Sequence, residues 1–114
     1  MGDGYFVPQK EAGQVEIRSG ILRRTLGTTD EVMLCEFHLT RGMIVQPHSH
    51  HNDQVGYVVK GKLAVTIGDE THICEAGDSY AIPGGVTHYA EALMETVTVD
   101  AFSPPRKDYR TEAR

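Results

Sequence analysis

The sequence predicts an all-β chain, folded as a sandwich or a barrel. Apolar residues recur at every second position, and no stretch of four or five helical turns shows them at spacings of three and four. Turn residues return about every ten positions, the rhythm of sandwiches and barrels. They stand at Gly27 to Asp30, Arg41 with Gly42, Gly61, Gly68 with Asp69, Gly77 with Asp78, and Pro83 with Gly84 and Gly85.

Between those turns the strands follow in order. Met33, Cys35, Phe37 and Leu39 alternate and so share one face. Val55, Tyr57 and Val59 form a second buried series, Leu63, Val65 and Ile67 a third, and Val86, His88 and Ala90 a fourth. The last strand sets Val97, Val99 and Ala101 on a packing face, against a semi-polar face of Thr96, Thr98, Asp100 and Phe102. A closed barrel with a wet interior accounts for that second face. Residues 1–14 are polar and glycine-bearing and read as an edge segment, and residues 103–114 read as a charged tail after Pro104 and Pro105. The whole chain, 1–114, is of a length for one domain.

Composition narrows the function classes. Sixteen acidic against eleven basic residues give a net charge of -5 with both signs dispersed, which argues against a nucleic-acid binder working through a basic face. No apolar run approaches the roughly 18 residues that cross a bilayer, and the first residues lack the basic and then apolar order of a signal peptide. The expectation is a cytoplasmic protein with neither nucleic acid nor membrane as partner. Cys35 and Cys74 are far apart, each in a strand-like stretch, and are expected as reduced core thiols.

The histidines carry the chemistry. His48 and His50 are two apart, so an extended chain projects both from one face and can aim two imidazole nitrogens at one ion. Gln54 keeps the same parity, and His88 lies on a strand that a barrel can bring alongside. Three imidazoles and an amide oxygen suit one divalent transition ion (Zn, Ni, Mn, Fe or Cu) with positions open for water or substrate. His51 has the opposite parity and is expected to point away, while His38 and His72 read as satisfied or solvated side chains. Asp100, an acid in mid-strand, must be solvated, paired or useful. If the Thr98 and Phe102 face lines the barrel, Asp100 faces the same interior as the ion.

The spacing of these residues resembles the two motifs of the cupin family. Five residues separate Gly42 from His48, one leads to His50, three to Gln54 and six to Gly61; a second block runs from Gly77 over five residues to Pro83, one to Gly85 and two to His88. The matching core is residues 42–92, and the resemblance implies the cupin double-stranded β-helix, a jelly-roll barrel. Two positions depart from the family pattern: Gln54 replaces the usual glutamate, and Ala92 stands where an asparagine often ends the second motif. A neutral amide leaves the ion its full +2 charge, so the site draws anions, acts as a stronger Lewis acid and lacks the carboxylate of the iron-oxygenase triad.

The run Phe102, Ser103, Pro104, Pro105, Arg106 is similar to the end of small single-domain cupins of pectin and uronate breakdown, which also carry the two-histidine motif followed by glutamine. Members of that group open the ring of 4,5-unsaturated uronates to a linear keto acid. The resemblance implies metal ligands at His48, His50, Gln54 and His88, acid or base work at Asp100, and a substrate site lined by Arg106, Phe102 and Tyr57. It also implies a small anionic ligand and a homodimer. A metal-dependent dioxygenase and a non-enzymatic ligand-sensing barrel remain alternative functions for the same site.

Overall fold

The computed structural model describes residues 5–110, and ten strands form two antiparallel sheets facing each other. The strands are β1 (Gln14–Arg18), β2 (Ile21–Thr28), β3 (Met33–Leu39), β4 (Ile44–His48), β5 (Asp53–Lys60), β6 (Lys62–Ile67), β7 (Glu70–Glu75), β8 (Ser79–Ile82), β9 (His88–Ala92) and β10 (Thr96–Ser103). One sheet has the order β1-β2-β3-β10-β5-β8 and the other β4-β9-β6-β7. This is the predicted jelly-roll barrel.

Strand registers sort the interior into two ends. Ile21 pairs with Leu39 and Leu63 with Ala92, and these four join Val58, Val65 and Cys74 in one apolar cluster. Each large aliphatic side chain buried there contributes about 1.5–3 kcal/mol relative to exposure. The turn beneath needs Gly61: its φ of 100° is left-handed, and a Cβ would run into Thr96 and the Glu95 carbonyl. At the opposite end Phe102 pairs with Gln54 and His48 with His88.

The expected inward faces hold for β3, where Met33, Cys35 and Leu39 are buried, and for β6, where Leu63 and Val65 are. On β10 the semi-polar set is indeed the interior one, with Thr96, Thr98, Asp100 and Phe102 all buried. Strand β5 corrects the sequence reading. Val55, Tyr57 and Val59 face outward at 53%, 50% and 47% exposure, while Gln54, Gly56 and Val58 face in. The cause is that the apolar row lies on the outside: Val55 pairs with Ala101 and Tyr57 with Val99, both outward on the neighbouring strand.

The C-terminal tail is a second correction. Residues 104–110 fold back across the barrel, with a 3-10 turn at Lys107–Tyr109. Asn52 Nδ2 donates to the Pro104 carbonyl, Thr25 Oγ1 to the Tyr109 carbonyl at 2.6 Å, and Arg110 to the Thr29 carbonyl. Aromatic packing holds it down, since Tyr109 stacks edgewise on Phe37 and Phe102 at 6.0 and 5.6 Å. Of the N-terminal segment, residues 1–4 lie outside the described residues, as do 111–114 of the tail. A 3-10 turn at Gln9–Glu11 precedes β1, and Arg24 holds it by donating to the Gln9 and Ala12 carbonyls.

Candidate metal centre and cavity

Two turns bring the histidines together. The Gly85 amide donates to the His50 carbonyl and the Gly84 amide to Asp53, so the Pro83–Gly85 turn is tied to the loop of the first two histidines. The register of β4 with β9 then sets His48 beside His88. Ligand nitrogens of His48, His50 and His88 all lie within 4.8 Å of one another, and this cluster could hold a metal ion. His51 is exposed, His38 pairs with Glu36 at 3.2 Å and His72 with Glu70 at 3.0 Å.

Hydrogen bonds fix the tautomers. His48 Nδ1 lies 2.9 Å from the Gln46 carbonyl, His50 Nδ1 3.0 Å from that of Asn52, and His88 Nδ1 2.9 Å from that of Val86. A carbonyl only accepts, so each Nδ1 carries the hydrogen and each neutral ring keeps its lone pair on Nε2. Burial, above all, holds His50 and His88 below the usual imidazole range and so favours the neutral form. Among the described residues, the Nε2 of His88 is buried without a hydrogen-bond partner.

Gln54 stands beside this cluster. Its Nε2 donates to Asp100 Oδ2 at 2.8 Å, which turns its Oε1 toward His50 Nε2 at 3.1 Å. With the His50 proton already on Nδ1, two lone pairs face each other there. A shared Lewis acid resolves both that repulsion and the orphaned nitrogen of His88, so the residues present fit a divalent ion.

Asp100 anchors the network from below. It is 1% exposed and accepts from Gln54 Nε2 and Tyr80 OH on Oδ2 and from Thr98 Oγ1 on Oδ1, each at 2.8 Å. Burial raises its pKa, and the three donors offset only part of that rise. Tyr80, also pushed up by burial, reaches Asp100 because Gly56 lies between them; a Cβ there would overlap both the Tyr80 ring and Asp100 Oδ2. Sequence reasoning missed Tyr80, although a glycine inside a strand signals such close approach.

A cavity of about 330 Å³ joins these groups, within the range of small-molecule sites. His48, His88, Gln54, Asp100, Phe102 and Arg106 line it, and Asp100 is the one carboxylate among its described lining residues. Arg106 stacks over Tyr109 at 4.2 Å and Phe102 at 5.7 Å, with its fork on Asp108 at 3.0 Å. Of the residues expected at the substrate site, Tyr57 is a correction: it lies on the outer face of β5 and not on the cavity wall. Tyr109, which does line the cavity, had no periodic signal in its short segment.

Comparison with known proteins agrees with this architecture. Residues 35–101 match the cupin domain family. The chain belongs to the cupin family. It is 34% identical over 107 residues to the pectin degradation protein KdgF of Dickeya dadantii, covering 92% of this chain and 96% of that protein. The solved structure of KdgF from a Halomonas species superposes with a TM-score of 0.88 at 32% identity, over 92% of this chain and 97% of its own. An RmlC-like cupin from Shewanella frigidimarina gives 0.89 at 30% identity, over 93% and 96%.

Proposed function

We propose that this cupin is a metal-dependent, non-redox enzyme that opens the ring of a 4,5-unsaturated uronate. The observation that carries the reading is the cavity lined by His48, His88, Gln54, Asp100 and Arg106, with His50 in the same imidazole cluster. His48, His50, His88 and Gln54 would hold one divalent ion, which when bound polarises substrate oxygens as a Lewis acid. The similarity to the pectin degradation proteins favours a uronate as substrate.

The chemistry is an isomerisation in which all atoms are retained. The anomeric hydroxyl loses its proton, the bond from the anomeric carbon to the ring oxygen breaks, and an aldehyde forms. The released electron pair stays as an enolate, and a proton added to the former alkene carbon gives the keto acid. Asp100 would take and return that proton at Oδ2, directly or through the Tyr80 hydroxyl that it accepts from, and its raised pKa suits both steps. Arg106 would orient the substrate carboxylate with the N–H groups that Asp108 leaves open, and Phe102 would pack on the sugar face. As further proposals, a small anion and a second copy of the chain are its partners; the outward row of Val55, Tyr57, Val59 and Val99 favours the latter.

Metal-loaded protein mixed with unsaturated galacturonate should abolish the ultraviolet absorbance of the conjugated alkene without taking up oxygen. His88→Ala should lose metal and turnover together. Stoichiometric oxygen uptake would establish the dioxygenase instead, and tight binding with no turnover the sensing barrel.

A further inference from the structure

Arg23 is a polar side chain that the chemistry above leaves unused. It lies on the inner face of β2 between Ile21 and Thr25 and is 6% exposed. Among the described residues it makes no salt bridge, and its Nε is buried without a hydrogen-bond partner. A largely buried guanidinium with no described carboxylate beside it works against folding.

Its described partner is an aromatic ring. The Arg23 Cζ stands 4.5 Å from the centroid of Tyr109, and the same ring carries Arg106 at 4.2 Å. Thr25, next on the same face of β2, accounts for the Tyr109 backbone through its bond to the carbonyl. Strand β2 thus holds Tyr109 by ring and by main chain, and the ring holds Arg106. Asp108 pairs with Arg106 at 3.0 Å, so of the two guanidiniums on that ring Arg23 is the one with no described carboxylate.

We propose that Arg23 is a positioning residue for the carboxylate site: stacked on Tyr109, it fixes the closing segment and with it Arg106 at the cavity wall. This rests on the reading of the cavity as a uronate site. Arg23 acts through Tyr109 and does not touch the substrate, because it is absent from the cavity wall while Tyr109 and Arg106 both form it.

The test uses metal-loaded protein and two readouts: KM and kcat for the unsaturated uronate, and Kd for saturated galacturonate by calorimetry. Arg23→Met should raise KM and Kd about tenfold while kcat moves less than about twofold, with metal content full and melting temperature no lower than the parent's. Tyr109→Leu should do the same, and the double variant should be no worse than the poorer single. Unchanged KM and Kd in Arg23→Met, or a double variant whose losses multiply, overturns the proposal. Should Arg23→Met fail to fold, Arg23→Gln supplies the same comparison. If the parent binds galacturonate but turns over no unsaturated uronate, the catalytic reading falls, while a weaker Kd in the variant still supports Arg23. If the parent binds no uronate, both fall.

Discussion

At one end of the barrel Ile21, Leu39, Val58, Leu63 and Ala92 meet with no charged group in their cluster. At the other, within the same two sheets, His48, His50, His88, Gln54, Asp100 and Arg106 crowd together. The apolar end gains free energy from every side chain it buries. The polar end gives some of it back, through a buried carboxylate, an unpartnered imidazole nitrogen and a guanidinium without a counter-ion. The polar end keeps a smaller apolar cluster of its own, Met33, Cys35 and Phe102 packed with Phe37 and Tyr109, and continuous strands such as β10, from Thr96 to Phe102, join the two ends. Substitutions at the two ends should therefore separate into loss of activity and loss of stability.

The largest separation is expected at Asp100. Asp100→Asn fits the network without rearrangement: the amide oxygen in the Oδ2 position keeps the bonds from Gln54 and Tyr80, and the amide nitrogen in the Oδ1 position donates to Thr98, whose hydroxyl rotates. Gln54 then still presents its oxygen beside His50. Metal content and melting temperature should hold, while turnover falls by about 10² to 10⁴, the range for loss of a general acid or base. A folded, metal-loaded variant as active as the parent would reduce Asp100 to scaffolding. Loss of metal along with activity would make its role the orientation of Gln54.

At the apolar end the converse is expected from Leu63→Ala. Leu63 is 3% exposed and packs in the aliphatic cluster, but it also borders the cavity. One side of the new void therefore already exists, and the loss should lie near the low end of the range for such truncations, about 2–3 kcal/mol. Denaturant unfolding measures it, and metal affinity measured on the folded fraction should be unchanged. A change in metal affinity would show that the two ends are mechanically coupled.

Much of this division was legible in the sequence, for reasons that differ by element. The histidine pair, Gln54 and His88 could be read from motif spacing; extended-chain parity alone does not carry it, because β4 ends at His48 and Gln54 lies on β5 of the other sheet. Asp100 could be read because an acid in mid-strand has few innocent explanations. The face of β5 was misread: Val55, Tyr57 and Val59 look like a core row, and only the pairing with Ala101 and Val99 shows them to be an outer one. Alternation gives a strand its two faces without saying which is inside when both can pack. Tyr80, Tyr109 and Arg23 stayed hidden because their roles depend on contacts between segments distant in sequence: Tyr80 to Asp100, and Arg23 to Tyr109.

The smallest expected effect is the response of the metal-free protein to pH, and it tests the polar end alone. Burial holds His50 and His88 below their usual 6.5 in the fold. As pH falls, the unfolded chain takes up these protons near 6.5 while the folded chain still refuses them. Their contribution to stability is therefore fully present above about 6.5 and is lost as pH drops through that value toward their folded pKa. Asp100 has the opposite sign, because its folded pKa is raised above the usual 3.8: the fold binds that proton before the unfolded chain does, and stability is regained as pH falls through the raised value. The metal-free melting temperature should thus decline as pH falls from 7.5 through about 6.5. A bound divalent ion needs the same imidazoles unprotonated, so protons compete with it and the gap between loaded and metal-free melting temperatures should narrow over the same window. Melting curves in chelator and in added metal, taken at matched ionic strength, measure both. If the metal-free curve is flat as pH falls from 7.5 through 6.5 and the gap is constant, His50 and His88 are not the neutral, buried imidazoles that the hydrogen bonds at Asn52 and Val86 describe.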